Sequence, residues 1–107
     1  MPAPIVPVRG RVYMADIGNG RKPWLVVSNN ARNRSLSDCL AVRLTTSVKP
    51  ELATIIDLST ADQPLVGRVL CDYVALLYRE DLEEDRGALS PETMMRVAAG
   101  LRSALAL

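Results

Sequence analysis

Apolar positions along this chain fall into five short runs divided by turn residues, and then into one helical stripe. Val12 to Ile17 reads as a first strand, with the turn signal Gly18-Asn19-Gly20 behind it. Trp24 to Ser28 follows as a continuous apolar second strand, with Lys22-Pro23 at its mouth. Asn29 to Asp38 (NNARNRSLSD) is polar and basic and reads as a loop. Cys39 to Thr46 alternates as a third strand: Leu40, Val42 and Leu44 face one way, Arg43 and Thr45 the other. Thr54 to Leu58 makes a fourth strand, Asp62 to Gly67 a turn, and Arg68 to Leu77 a long fifth strand. Arg79 to Arg86 (REDLEEDR) carries too much charge for a strand and reads as a short exposed helix or turn.

Ser90-Pro91-Glu92 is a helix start with a mechanism behind each residue. Ser90 can accept from an early backbone N–H, Pro91 suits the first helical position, and Glu92 complements the helix dipole. Met94, Val97, Ala98, Leu101, Ala104 and Leu105 then share one stripe. Five short antiparallel strands closed by a C-terminal helix predict a mainly β fold, a small curled sheet or barrel.

With 107 residues the chain makes one domain with a modest core. The start, MPAPIVPVRG, has no charged region followed by a long apolar core, which predicts no signal peptide. Its prolines predict an extended, mobile arm over residues 1–8. Cys39 and Cys71 fit no paired spacing and read as buried thiols, and no run is long enough for a membrane span. Together these predict a cytoplasmic protein.

Histidine is absent, so no His-based acid–base pair, Ser–His triad or His-ligated metal site can exist. Hydrolytic chemistry is left to cations, carboxylates, hydroxyls and backbone donors, without a metal or cofactor. The net charge of +1 hides an imbalance: residues 1–50 hold eight Lys and Arg against Asp16 and Asp38, for +6, while the remainder carries −5. A basic first half suits a polyanion, unless the fold mixes the two charges on one surface.

Within that basic half, Lys22 sits just before Pro23 and is biased to an extended conformation, with Arg21 beside it. A cation at a strand mouth suits a phosphate, or is simply solvated. Thr45 shares a face with Arg43, either as a hydroxyl donor beside a cation or as an ordinary β-former. Asn29, Asn30, Arg32, Asn33 and Arg34 offer amides and guanidinium groups of the kind that read and grip single-stranded RNA, or form a plain polar loop. Trp24 and Tyr13 read as core, and Asp16 as a turn residue.

The order Arg9-Gly10, Val12-Tyr13, Asp16, then Lys22-Pro23, an apolar run into Ser28-Asn29, and a strand closing in Leu44-Thr45 resembles the MazF/PemK toxins. The resemblance runs from Arg9 to Leu105 and implies an SH3-like barrel with a C-terminal helix. It also implies a metal-independent, sequence-specific endoribonuclease of a toxin–antitoxin pair, leaving 2′,3′-cyclic phosphate and 5′-OH ends. A homodimer would bind single-stranded RNA, whether messenger, transfer or ribosomal, and a MazE-like antitoxin would block it. The family uses an Arg immediately before this Pro; here Lys22 stands there, with Arg21 as the alternative. A family Thr at the end of the third strand corresponds to Thr45, and Arg43 would reach the RNA backbone. Relatives often carry Gln where Tyr73 stands, and many have a longer loop than Gly18 to Gly20. Two other readings keep the fold: a CcdB-like toxin that blocks DNA gyrase, and a non-catalytic RNA-binding barrel. The CcdB group resembles Trp-Gly-Ile at its end, whereas this chain closes Leu-Ala-Leu.

Overall fold

The computed structural model describes residues 4–107, so the first three residues of the expected arm lie outside the described residues. Six strands form one antiparallel sheet: β1 (Arg11–Asp16), β2 (Arg21–Val26), β3 (Asp38–Thr45), β4 (Ile55–Asp57), β5 (Arg68–Tyr78) and β6 (Leu82–Ala88). A short helix α1 (Asn30–Ser35) lies between β2 and β3, and α2 (Pro91–Leu105) ends the fold. The strand order β4-β5-β3-β2-β1-β6 leaves β4 and β6 as edges, so the sheet curls without closing.

The alternating pattern has two dry faces to fill. Val12, Leu25, Val42, Leu44 and Val69 pack with Val97 and the partly buried Met94 and Leu101 of α2. Tyr13, Ala15, Trp24, Val26 and Ala41 pack on the opposite face with Leu77 and Leu82, where the β5–β6 corner folds over them. Each large side chain buried this way contributes about 1.5–3 kcal/mol. Trp24 and Tyr13 are core, as their neighbours in sequence imply. Ile5 packs against the second cluster and Pro7 is buried. Both cysteines are free and buried, and burial pushes each thiol up to about 11.

Two segments differ from the sequence reading. The stretch read as a loop contains α1, a six-residue polar helix that would be marginal alone. Asn29 caps it, its side chain accepting from the Arg32 N–H at 2.8 Å. Asn33 is fully buried and donates to the Ser28 carbonyl at 2.9 Å, while Arg79 donates to the Asn33 and Arg34 carbonyls at 2.6 and 3.0 Å. No apolar stripe announces such a helix, because polar side chains hold it.

The second is REDLEEDR, most of which is strand rather than helix or turn. A 3-10 turn covers Arg79–Asp81, and Leu82 onward pairs with β1 as the sheet's sixth strand. Only Leu82 is buried in it, so the strand carries no alternation. Ladder hydrogen bonds and cross-strand ion pairs hold it instead, and charge on an edge strand discourages pairing with other chains.

The α2 start forms as its sequence predicts, with the Ser90 side chain accepting from the Thr93 N–H at 3.2 Å and Pro91 in the first turn. Leu105 stays exposed at the end of the expected stripe. Asp62, 1% exposed, ties the β4–β5 connection to this helix start. Its carboxylate accepts from the Ser90 N–H, the Thr93 hydroxyl and the Ser59 N–H at 2.7, 2.7 and 2.8 Å. Burial alone would push the group up, but these donors outweigh it and bring it down to about 2.

A carboxyl lowered in the folded state stabilises above its unfolded value of 3.8 and loses that stabilisation as pH falls toward 2. The contribution at neutral pH is about 2 kcal/mol. Urea unfolding midpoints of the wild type should be flat from pH 7 to 5 and drop below pH 4. The drop should be markedly smaller in Asp62→Asn, whose midpoint is already lower at pH 7; equal pH profiles would refute the assignment.

Candidate active site

Lys22 and Thr45 meet because of strand register. The β2–β3 ladder pairs Val26 with Ala41, Leu25 with Val42 and Trp24 with Arg43. Continuing it past its last pair brings Lys22 opposite Thr45, and alternation puts Lys22 and Trp24 on the face of Arg43 and Thr45. Lys22, Arg43 and Thr45 line one open cleft of about 480 Å³. Arg86 of β6 lines it too, and Leu65 and Val66 of the β4–β5 connection form an apolar side. The lining holds three cations (Lys22, Arg43, Arg86) and three hydroxyls (Thr45, Thr46, Ser47), with no carboxylate. An anion is the ligand such a cleft favours.

Arg43 is held ready for it. Its guanidinium carbon lies 5.6 Å from the Trp24 ring centroid and 5.5 Å from that of Tyr73. The two rings meet edge to face at 5.8 Å. A cation over two aromatic faces gains about 0.5–2 kcal/mol per contact, depending on desolvation. Tyr73 reaches this position through an irregularity in β5: Val42 pairs with Val74 but Arg43 with Leu70, so residues 71–73 leave the β3 ladder. The Arg43 Nε is buried and has no acceptor among the described residues. An unmade donor of this kind costs free energy, which the contacts with the two rings offset.

Thr45 is also oriented. The Ser47 N–H donates to its Oγ1 at 3.1 Å, which leaves the Thr45 O–H able to donate outward. Lys22 is half-buried and has no hydrogen bond or ion pair among the described residues.

The other residues singled out in the sequence lie elsewhere. Arg21 binds Glu83 at 2.8 Å and Glu84 at 2.6 Å. Its hydrogen bond with Glu84, then that with Glu83, raises its pKa above the ordinary value. Asn29 caps α1, and Asn30 accepts from the Arg9 N–H at 2.8 Å. Arg32 pairs with Asp38 at 2.7 Å, and Asn33 is buried in its own network. Arg34 is exposed on α1, away from the cleft lining. Most of these amides and guanidinium groups help hold α1 in place, and the stretch is a helix where a loop was expected. Asp16 is a turn residue as expected, accepting from the Gly18 and Gly20 N–H groups at 2.9 and 3.2 Å. Arg86 had no local signal, because its place depends on the pairing of β6 with β1.

Fold and cleft together define a small curled β protein built to hold an anion between cations and hydroxyls. Similarity to known proteins narrows this class. Residues 8–105 match the family described as PemK-like, MazF-like toxin of type II toxin–antitoxin system. The chain is 44% identical over 101 residues to Endoribonuclease MazF4 of Mycobacterium tuberculosis (strain ATCC 25618 / H37Rv), covering 94% of each chain. A solved endoribonuclease from a mycobacterial species, in complex with its cognate antitoxin, shares 44% identity and a TM-score of 0.90, with 94% of this chain and 96% of that one covered. A second mycobacterial endoribonuclease gives a TM-score of 0.90 at 40% identity, with 99% and 97% covered. The protein belongs to the PemK/MazF toxin family.

Proposed function

We propose that this protein is the toxin of a type II toxin–antitoxin pair and cuts single-stranded RNA in the cytoplasm. Residues 1–107 act as one domain, working as a homodimer that a MazE-like antitoxin holds inactive. Relatives at 44% identity carry the name endoribonuclease, and a chain equally similar is solved with its antitoxin. Among the described residues no helix is long and apolar enough to cross a membrane.

The observation that carries the reading is the convergence of Lys22, Arg43 and Thr45 on a cleft without carboxylates. The 2′-OH of one nucleotide attacks the adjacent phosphorus, and the bond to the 5′ oxygen breaks. A 2′,3′-cyclic phosphate and a 5′-OH end result. Lys22 neutralises the charge that grows on the phosphorane oxygens, and Thr45 donates a hydrogen bond to them. Arg43, held against the Trp24 and Tyr73 rings, holds the RNA backbone. Lys22 takes the family's Arg role in preference to Arg21, whose guanidinium is engaged by Glu83 and Glu84.

The purified protein incubated with single-stranded RNA in EDTA should yield fragments bearing cyclic phosphate and 5′-OH ends, read by end-labelling. RNA that stays intact while binding the protein would mean a non-catalytic RNA-binding barrel.

A further inference from the structure

The edge strand β6 carries Glu83, Glu84, Asp85 and Arg86 in succession, yet only the cation lines the cleft. Its ladder with β1 explains how. Val12 pairs with Gly87 and Tyr13 with Asp85, so Arg86 is an extra residue in β6. Met14 then pairs with Glu84 and Ala15 with Leu82, so Glu83 is a second one. Bulges of this kind break strict alternation and re-aim side chains, often beside functional sites.

Here they sort the charges of the strand. Asp85 turns to Arg11 at 2.8 Å, and Glu83 and Glu84 both turn to Arg21, at 2.8 and 2.6 Å. Three carboxylates are thereby engaged outside the cleft lining, while Arg86 enters it with no ion-pair partner among the described residues. Holding three acids away from an anion site removes the repulsion that a randomly facing β6 would bring. The strand reads as acidic in sequence, and the fold makes it a cationic wall of the site.

We propose that Arg86 is an RNA-binding residue that grips a backbone phosphate other than the one held by Lys22 and Thr45. This rests on reading the cleft as an RNA site. The separate phosphate follows from sheet geometry. Strand β1 lies between β2 and β6, which sets them about 10 Å apart at about 4.8 Å per strand; Lys22 stands opposite Ala15 and Arg86 at the Val12–Tyr13 step, so the two backbones are roughly 13 Å apart. A phosphate contact carries no base information, so Arg86 tightens RNA binding on any sequence.

The test is fluorescence anisotropy of a labelled 2′-O-methyl RNA oligonucleotide, which cannot undergo 2′-OH attack, measured across a salt series. Cleavage of the matching RNA in EDTA is followed in parallel. For Arg86→Ala the expected result is binding weaker by about 3–10-fold, a KM raised by a similar factor, and a salt slope shallower by about 0.7, the value for one lost single-strand phosphate contact. Arg86→Lys, which keeps the charge, should restore most of all three. Arg102→Ala, on exposed α2 surface, serves as a control for net charge and should leave slope and affinity as in the wild type. Unchanged binding in Arg86→Ala, or an equal loss in Arg102→Ala, would overturn the role of Arg86 while leaving the cleft's function standing. A wild type that neither binds nor cuts the oligonucleotides would overturn both.

Discussion

Lys22→Ala should lower the rate of RNA cleavage by about 10²–10³-fold, the usual cost of removing one donor aimed at charge that develops in the transition state. The side chain is half-buried at the mouth of β2 and makes no hydrogen bond or ion pair with the described residues, so little of the fold depends on it. Single-turnover cleavage in EDTA, with a thermal melt of each variant, separates chemistry from folding. Lys22→Arg should keep most of the activity, because a guanidinium can place two donors on the same phosphate. Thr45→Val, close in shape but without a hydroxyl, should lose rate without losing stability. Arg21→Ala should cost far less cleavage than Lys22→Ala, since Arg21 is spent on Glu83 and Glu84. The reverse order of the two effects would transfer the catalytic role to Arg21.

Gly67→Ala should be the most destabilising small substitution near the site, costing about 3 kcal/mol through backbone strain and steric overlap together. Gly67 has a φ of +110°, and a Cβ there would lie 2.2 Å from the Thr45 carbonyl oxygen and 3.3 Å from the Thr46 Cα. That clash is with backbone, which no rotamer change relieves. In a domain near this size the loss lowers Tm by more than 10 °C at about 4–8 °C per kcal/mol. The same overlap displaces the strand end that carries Thr45, so cleavage should fall even at temperatures where the variant stays folded. Gly18→Ala is the comparison: its φ is +117°, but nothing lies within 4 Å of the added carbon. It should cost only the backbone strain, on the order of 1 kcal/mol. Equal melting temperatures for the two variants would refute the packing argument at Gly67.

Much of the fold was legible because burial follows local spacing. Leu40, Val42 and Leu44 alternate, and the α2 stripe repeats at helical intervals, so both announce the face they bury. Helix α1 and strand β6 were not legible for one shared reason: each is held by polar contacts across long stretches of sequence. Arg79 caps the carbonyls of Asn33 and Arg34, and Asp85 meets Arg11. The candidate site was legible in part. Lys22, Arg43 and Thr45 could be named from position and resemblance. The residues of α1 could be named only as a set of amides and arginines, since a cap or a buried network uses the same residue types as an RNA-reading loop.

By itself the sequence determined the fold class, through periodicity and turn residues. It also excluded histidine chemistry, since no histidine exists to supply it, and confined most of the positive charge to the first half. Tertiary structure alone decided which charges meet. Register brought Lys22 toward Thr45, a bent β5 set Tyr73 against Arg43, and two bulges turned three carboxylates away from the cleft and Arg86 into it. Hydrophobic burial repeats along the chain and can be read there. Electrostatic pairing depends on distances between strands far apart in sequence, and those exist only once the sheet has formed.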